Sequence, residues 1–222
     1  MQVHIADIHK RYGKKQILSG AGFDAKGGDC IGLIGKNGSG KSTLLSILAG
    51  VVRADSGSFL IDGKDCLADE ALRQKEVAYV PQGTPLLDEL TARDNLRMWY
   101  SKEALEESLS NGFLKMLGID EFLDVTVNRM SGGMKKRLSI GCAIHHNPRV
   151  LLLDESSSAL DLICREEIYS YFRAFRENGG LLILVTHELR EIEQCSQCYL
   201  LKDQTTVAYD YDSDIERLTS LL

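Results

Sequence analysis

No apolar run in this 222-residue chain approaches the roughly 20 residues that a helix needs to cross a bilayer. The greasiest stretches, Val150–Leu153 and Leu181–Val185, have strand length and end in polar residues. The opening residues, Met1-Gln2-Val3-His4-Ile5-Ala6-Asp7, lack the apolar core of a secretory signal. These absences predict a cytosolic chain that meets a membrane only through a partner. Basic excess is missing too. Lys and Arg number 26 against 32 Asp and Glu, a net charge of -6, which weighs against a nucleic-acid partner. The six cysteines (Cys30, Cys66, Cys142, Cys164, Cys195 and Cys198) include one CxxC but no second pair and no nearby His-x-x-x-His. A structural zinc site would lack its four ligands, so reduced, partly buried thiols are expected. There is no Pro-, Ser- or Gly-rich linker, no internal repeat and no Asn-Lys-x-Asp motif for guanine. A single domain is therefore expected, with no sizeable C-terminal regulatory domain.

What is present alternates between strand-like and helical segments, the pattern of an α/β fold with a parallel core sheet. Asp29–Ile34 runs into a glycine loop, and Val77–Val80 precedes Pro81-Gln82. Arg149–Leu153 ends in Asp154-Glu155, and Leu181–Val185 ends in Thr186-His187. Continuously apolar strands suit a sheet covered on both faces. In such sheets ligands bind beyond the carboxyl ends of the strands, so these polar residues are expected to converge. Gln2–Ile5, Ser58–Asp62, Cys198–Leu201 and Thr206–Tyr209 read as a small antiparallel layer near the termini. Residues 91–125 read as an inserted helical subdomain. Thr91 caps its first helix, and Leu105, Leu109, Phe113, Leu114 and Leu117 have helical spacing. The core would comprise 1–90 and 126–222.

Gly35-Lys36-Asn37-Gly38-Ser39-Gly40-Lys41-Ser42, followed by Thr43, fits G-x-x-x-x-G-K-[ST] between a strand and a helix. Its glycines allow a concave nest of backbone N–H groups, and the helix N-terminus adds a favourable dipole for anions. Lys41 is expected to reach the β- and γ-phosphates of a nucleotide, with the Ser42 hydroxyl on magnesium. Asp154 at a strand end suits magnesium, and adjacent Glu155 suits polarising a water for attack on the γ-phosphate. Taken alone, an acidic strand end is equally consistent with solvation.

Ser131-Gly132-Gly133 stands just before an amphipathic helix, Met134 to His145, and leaves free N–H groups for an anion. With the phosphate loop and Asp154-Glu155, it makes the chain resemble the nucleotide-binding domains of ATP-binding cassette (ABC) proteins, from Met1 to about Leu201. The resemblance implies a P-loop NTPase fold and magnesium-dependent ATP hydrolysis. It implies adenine stacking on Tyr12 of Lys10-Arg11-Tyr12-Gly13, and a Gln82 that senses magnesium and the γ-phosphate. It further implies a His187 that holds the attacking water, and a Ser158-Ala159-Leu160-Asp161 loop that links paired sites. Met130-Ser131-Gly132-Gly133-Met134 would close over ATP held by an opposite subunit. The family's usual Leu-Ser-Gly-Gly-Gln has methionine at both outer positions here, and Ser156 stands where a proline usually follows the glutamate.

The partners so implied are a second cassette, itself or related, and an integral membrane permease, with the chain peripheral on the cytoplasmic face of the cell membrane. Leu86, Leu87 and Leu90, within the Gln82 to Leu96 surface, fit a permease docking patch and fit packing within the subdomain equally well. An ABC ATPase acting on DNA or ribosomes is the alternative. Such proteins generally add coiled-coil arms, zinc modules or a second cassette, and none is seen in the sequence. Lys135-Lys136-Arg137 reads as a solvated helix face, and His145-His146 as a structural helix end.

Overall fold

A computed structural model describes residues 1–154 and 162–211. The chain opens with a hairpin of β1 (Gln2–Tyr12) and β2 (Lys15–Lys26), then β3 (Cys30–Ile34), α1 (Lys41–Leu48), β4 (Ser56–Ile61) and β5 (Lys64–Asp65). After α2 (Glu70–Glu76) and β6 (Val77–Val80) come the helices α3 (Ala92–Arg97), α4 (Lys102–Asn111) and α5 (Phe113–Met116), then 3-10 turns at Ile119–Phe122 and Val127–Arg129. The remainder is α6 (Gly132–Ala143), β7 (Val150–Asp154), α7 (Leu162–Glu177), β8 (Leu181–Val185), α8 (Leu189–Gln194), β9 (Gln197–Lys202) and β10 (Thr205–Tyr209).

Six strands form one sheet in the order β10-β9-β3-β8-β7-β6, parallel throughout except for β10 at the edge. The continuously apolar β3, β7 and β8 are wholly buried. Their side chains alternate as the pleat requires. Leu151, Leu153, Leu182 and Leu184 face the layer of α3 to α7, whereas Val150, Leu152, Leu181 and Ile183 face α1 and the second sheet. That second sheet, β2-β1-β4-β5, is antiparallel.

The antiparallel layer differs in membership from the sequence reading. Cys198–Leu201 and Thr206–Tyr209 both belong to the six-stranded sheet, where β9 pairs parallel with β3, Gly32 lies opposite Cys198, and β10 adds antiparallel to β9. The hydrophobic pattern did not reveal the short β5 or, of more consequence, the long β2. Gly20 and Gly22 interrupt it, and its ladder with β1 is shifted by irregularities. Edge strand β10 knits the sheets together, through Ser19 N–H to Gln204 O at 2.8 Å and Gly22 N–H to Thr206 Oγ1 at 2.8 Å.

Between β6 and β7 the chain is helical, as the 91–125 spacing suggests. Thr91 Oγ1 accepts from Asp94 N–H at 3.2 Å and donates to the Asp94 carboxylate at 2.6 Å, which fixes the start of α3. Leu105, Leu114 and Leu117 are buried, with Leu109 and Phe113 packed against them. Lys135-Lys136-Arg137 is not a solvated face. Lys136 and Arg137 are 5% and 6% exposed, because α6 is packed between the helical layer and the sheet. The Arg137 guanidinium pairs with Glu167 and lies 4.9 Å from the centre of the Phe122 ring. His145 hydrogen-bonds the Cys142 carbonyl near the end of that helix, at 3.0 Å. Cys195 is half-buried and the other five cysteines are buried, all as free thiols.

Asn95, 1% exposed, clamps the segment leading into the helices. Its side chain accepts from Leu87 N–H at 2.9 Å and donates to Leu87 O and Thr91 O at 3.2 and 2.9 Å. Asn95→Ala takes the acceptor from Leu87 N–H, at about 1–3 kcal/mol, whereas Leu87 O and Thr91 O keep the N–H groups of Leu90 and Asn95. We expect a loss of about 2 kcal/mol in urea unfolding. An unchanged midpoint would contradict the clamp.

Candidate functional site

The segment between β3 and α1 folds tightly because its glycines adopt backbone angles that other residues avoid. Gly35, Gly38 and Gly40 have φ of 140°, 78° and 112°. A Cβ on Gly35 would stand 2.6 Å from the Leu201 carbonyl oxygen, so the loop approaches β9 as only glycine can. Gly40 caps α1 with no side-chain hydrogen bond, which leaves the first-turn N–H groups for an anion. Lys41, 6% exposed, curls back over the loop and donates to Gly35 O at 2.6 Å and Lys36 O at 3.1 Å. Ser39 Oγ is buried with no hydrogen-bond partner among the described residues.

Beside the loop opens a cavity of about 470 Å³, lined by Ile17, Asn37, Gly38, Gly40, Lys41, Ser42, Thr43 and Gln82. Ser42 Oγ donates to Asp154 Oδ1 at 3.1 Å, and Asp154 is only 3% exposed. Tyr79 directs its hydroxyl at the other carboxylate oxygen from 3.5 Å, the long end of hydrogen bonding. Burial pushes the Tyr79 phenol up, and the Asp154 charge adds to this, so the group stays a neutral donor near pH 7. One hydroxyl, one buried carboxylate and the nearby Gln82 amide form a hard oxygen set. That set fits magnesium, which keeps water and phosphate oxygens among its ligands.

Sheet register explains why distant residues meet. Leu33 pairs with Val185, Val185 with Asp154, and Leu153 with Val80, so four neighbouring strands end at one edge. The phosphate loop, His187, Asp154 and Gln82 all follow that edge. Gln82 is exposed and reaches the cavity. His187 is exposed two residues beyond β8 and does not line the cavity. Just before it, Thr186 Oγ1 accepts from Glu188 N–H at 2.9 Å. Glu155 and Ser158-Ala159-Leu160-Asp161 lie outside the described residues.

Tyr12 is half-exposed at the β1–β2 turn, with Lys10 Nζ 5.3 Å from its ring centre. Asp55 steadies that turn by accepting from Arg11 N–H at 2.7 Å and from Lys10 Nζ at 3.3 Å. The Arg11 N–H, and then Lys10, hold its carboxyl below the usual range. Tyr12 does not line the cavity, but Ile17 of the same hairpin does. Ser131 is exposed at the head of α6, where its Oγ accepts from Met134 N–H at 3.2 Å. Gly132 is exposed and Gly133 buried. Met130 and Met134 pack against the helical-side core and so anchor the segment on either side of its exposed serine. Sequence reasoning missed Ile17 and Tyr79. Ile17 becomes visible only once β2 is recognised, and Tyr79 stands in the strand-like Val77–Val80 as a lone polar tip.

Residues 18–158 match the family model described as ABC transporter. The chain is 32% identical over 214 residues to the linearmycin resistance ATP-binding protein LnrL of Bacillus subtilis (strain 168), covering 94% of this chain and 69% of that protein. It is 33% identical over 202 residues to a probable sulfate/thiosulfate import ATP-binding protein, CysA, of Chlorella vulgaris, covering 89% and 85%. Among solved structures, a dimeric ATP-binding cassette in a post-hydrolysis state bound to ADP and Pi superposes with a TM-score of 0.82. Identity there is 25%, covering 94% of this chain and 98% of that one.

Proposed function

The chain belongs to the ABC transporter family, and from that premise we propose that it hydrolyses Mg-ATP to drive a substrate through a separate membrane permease. The observation that carries the reading is one cavity that gathers Lys41, Ser42 and Gln82, with Asp154 bonded to Ser42. The reaction is attack of water on the γ-phosphate. Lys41 and the loop amides neutralise charge on the phosphates as the bond to the leaving oxygen breaks. Ser42, Asp154 and Gln82 would hold magnesium, which would supply positive charge beside the phosphates. Glu155 accepts the proton of the water, and His187 orients it. Tyr12 supplies a stacking face for adenine.

Ser131 and Gly132, exposed at the head of α6, suit contact with ATP on a second copy, and the dimeric cassette that resembles this chain supports such pairing. Two chains then sandwich two nucleotides, and hydrolysis loosens the pair. Among the described residues no helix is long and apolar enough to cross a membrane. The reading assigns that role to a permease, with the chain held on the cytoplasmic face. Its docking surface is a groove of about 690 Å³ lined by Val51, Tyr79, Leu86, Trp99, Cys142 and His145, of which Val51 and Trp99 are exposed. Leu86 lines that groove while packing in part against the helical-side core, and Leu87 is half-exposed.

Two measurements test the proposal. Phosphate release from ATP should fall to background when EDTA removes magnesium and return with added Mg2+. Tagged chain should also co-purify from detergent-solubilised membranes with a multi-spanning protein. Turnover undiminished by EDTA would remove the metal from the mechanism, and recovery with ribosomes or DNA instead would overturn the transport role.

A further inference from the structure

Three of the six cysteines meet at a place away from the nucleotide cavity, none of them lining it. Cys30 opens β3, Cys195 follows the last residue of α8, and Cys198 lies in β9. Cys30 Sγ stands 3.7 Å from Cys195 Sγ, the separation of two sulfurs in contact. Cys30 and Gly32 share one face of β3. A Cβ on Gly32 would lie 2.9 Å from Cys195 Sγ and 3.0 Å from Cys198 Sγ, so glycine there leaves the room that sulfur fills.

The backbone on both sides of the contact is held. Ser196 N–H and the Ser196 hydroxyl both donate to Cys30 O, at 2.8 and 3.1 Å, and Ser196 Oγ accepts from Cys30 N–H at 2.9 Å. The Arg176 guanidinium donates to Gly28 O at 3.1 Å and to Gln194 O at 3.3 Å, which ties the turn before Cys30 to the residue before Cys195. Juxtaposition of this kind is what a disulfide requires. Cys30 and Cys198 are buried, whereas Cys195 is half-buried and is the sulfur of the three that a reagent reaches first. Hydrogen bonds to Cys198 and Cys30, and then burial, hold the Cys195 thiol above the usual range, so its reactions are slow.

We propose that Cys195 exchanges with low-molecular-weight disulfides and that Cys30 closes the product into a Cys30–Cys195 disulfide that staples the fold. The Cys195 sulfur gives up its proton, bonds one sulfur of the incoming molecule and expels the other, which leaves with that proton as a thiol. Cys30 then gives up its proton, bonds the Cys195 sulfur and expels the second half as a thiol. Two protein thiols are oxidised, and one small disulfide is reduced to two thiols. The new bond joins β3, which runs into the phosphate loop, to the end of α8, which begins two residues beyond His187. Its ends are 165 residues apart, so it restricts the unfolded chain strongly.

The test incubates reduced, folded chain overnight with millimolar glutathione disulfide, then maps its peptides by mass spectrometry and records its melting temperature. The Cys30 and Cys195 peptides should be joined and two hydrogens lighter, with Cys66, Cys142 and Cys164 still free. Melting should rise by about 5–10 °C and return to its starting value with dithiothreitol. Cys195→Ser should abolish both the link and the rise, and Cys198→Ser should keep both. Glutathione retained on Cys195 without closure overturns the proposal, as does a Cys195–Cys198 link. So does the absence of any link until urea unfolds the chain, or a Cys30–Cys195 link with melting unchanged. The wild-type map needs no variant to fold, and its outcome is independent of whether the chain hydrolyses ATP.

Discussion

Replacing Lys41 by alanine is expected to weaken ATP binding by about a hundredfold or more, measured by equilibrium titration. Lys41 is nearly buried, and its ammonium already reaches across the loop to the Gly35 and Lys36 carbonyls. Charge-assisted hydrogen bonds contribute about 1.5–3 kcal/mol each, and two lost to phosphate oxygens account for that fall. The loss should appear in affinity itself, because the proposed reading puts the lysine on phosphate before any bond breaks. A defect in kcat alone would mean that the ammonium acts only in the transition state. Unchanged affinity would remove the loop from nucleotide binding altogether.

Glu155→Gln should leave ATP binding intact and lower phosphate release by about 10²–10⁴-fold, the usual contribution of a positioned general base. The substitution keeps size and hydrogen-bonding capacity but removes the basic oxygen. Asp154 makes a sharp comparison. It is buried and accepts from Ser42, so Asp154→Asn should impair magnesium dependence, whereas Glu155→Gln should leave that dependence unchanged. Normal turnover in Glu155→Gln would take Glu155 out of the reaction.

The parts legible in the sequence are those governed by local rules. Continuous apolar runs identified β7 and β8 because both faces of those strands are covered. The glycine spacing located the phosphate loop, and a threonine with an aspartate three residues on located the start of α3. What stayed hidden depends on pairing between distant segments. Cys198–Leu201 has strand character, but nothing within it tells whether it joins β3 or the antiparallel sheet. Gly20 and Gly22 disguised β2, and with it the position of Ile17. The charged run Lys135-Lys136-Arg137 looked solvated because its acceptors lie far away in sequence, at Pro81 and Glu167. Burial of polar side chains is a tertiary property, and amphipathic periodicity does not report it. The convergence of Gln82, Asp154 and the loop was expected from strand ends alone. The structure adds the hydrogen bond from Ser42 to Asp154 and the cavity wall.

Native mass spectrometry of Glu155→Gln with Mg-ATP tests most directly whether the exposed Ser131 of one copy closes on nucleotide in the loop of another. A particle of two chains carrying two ATP molecules is predicted, reverting to single chains when Ser131→Arg blocks the contact. Single chains that each hold one ATP, with or without that block, would contradict the account.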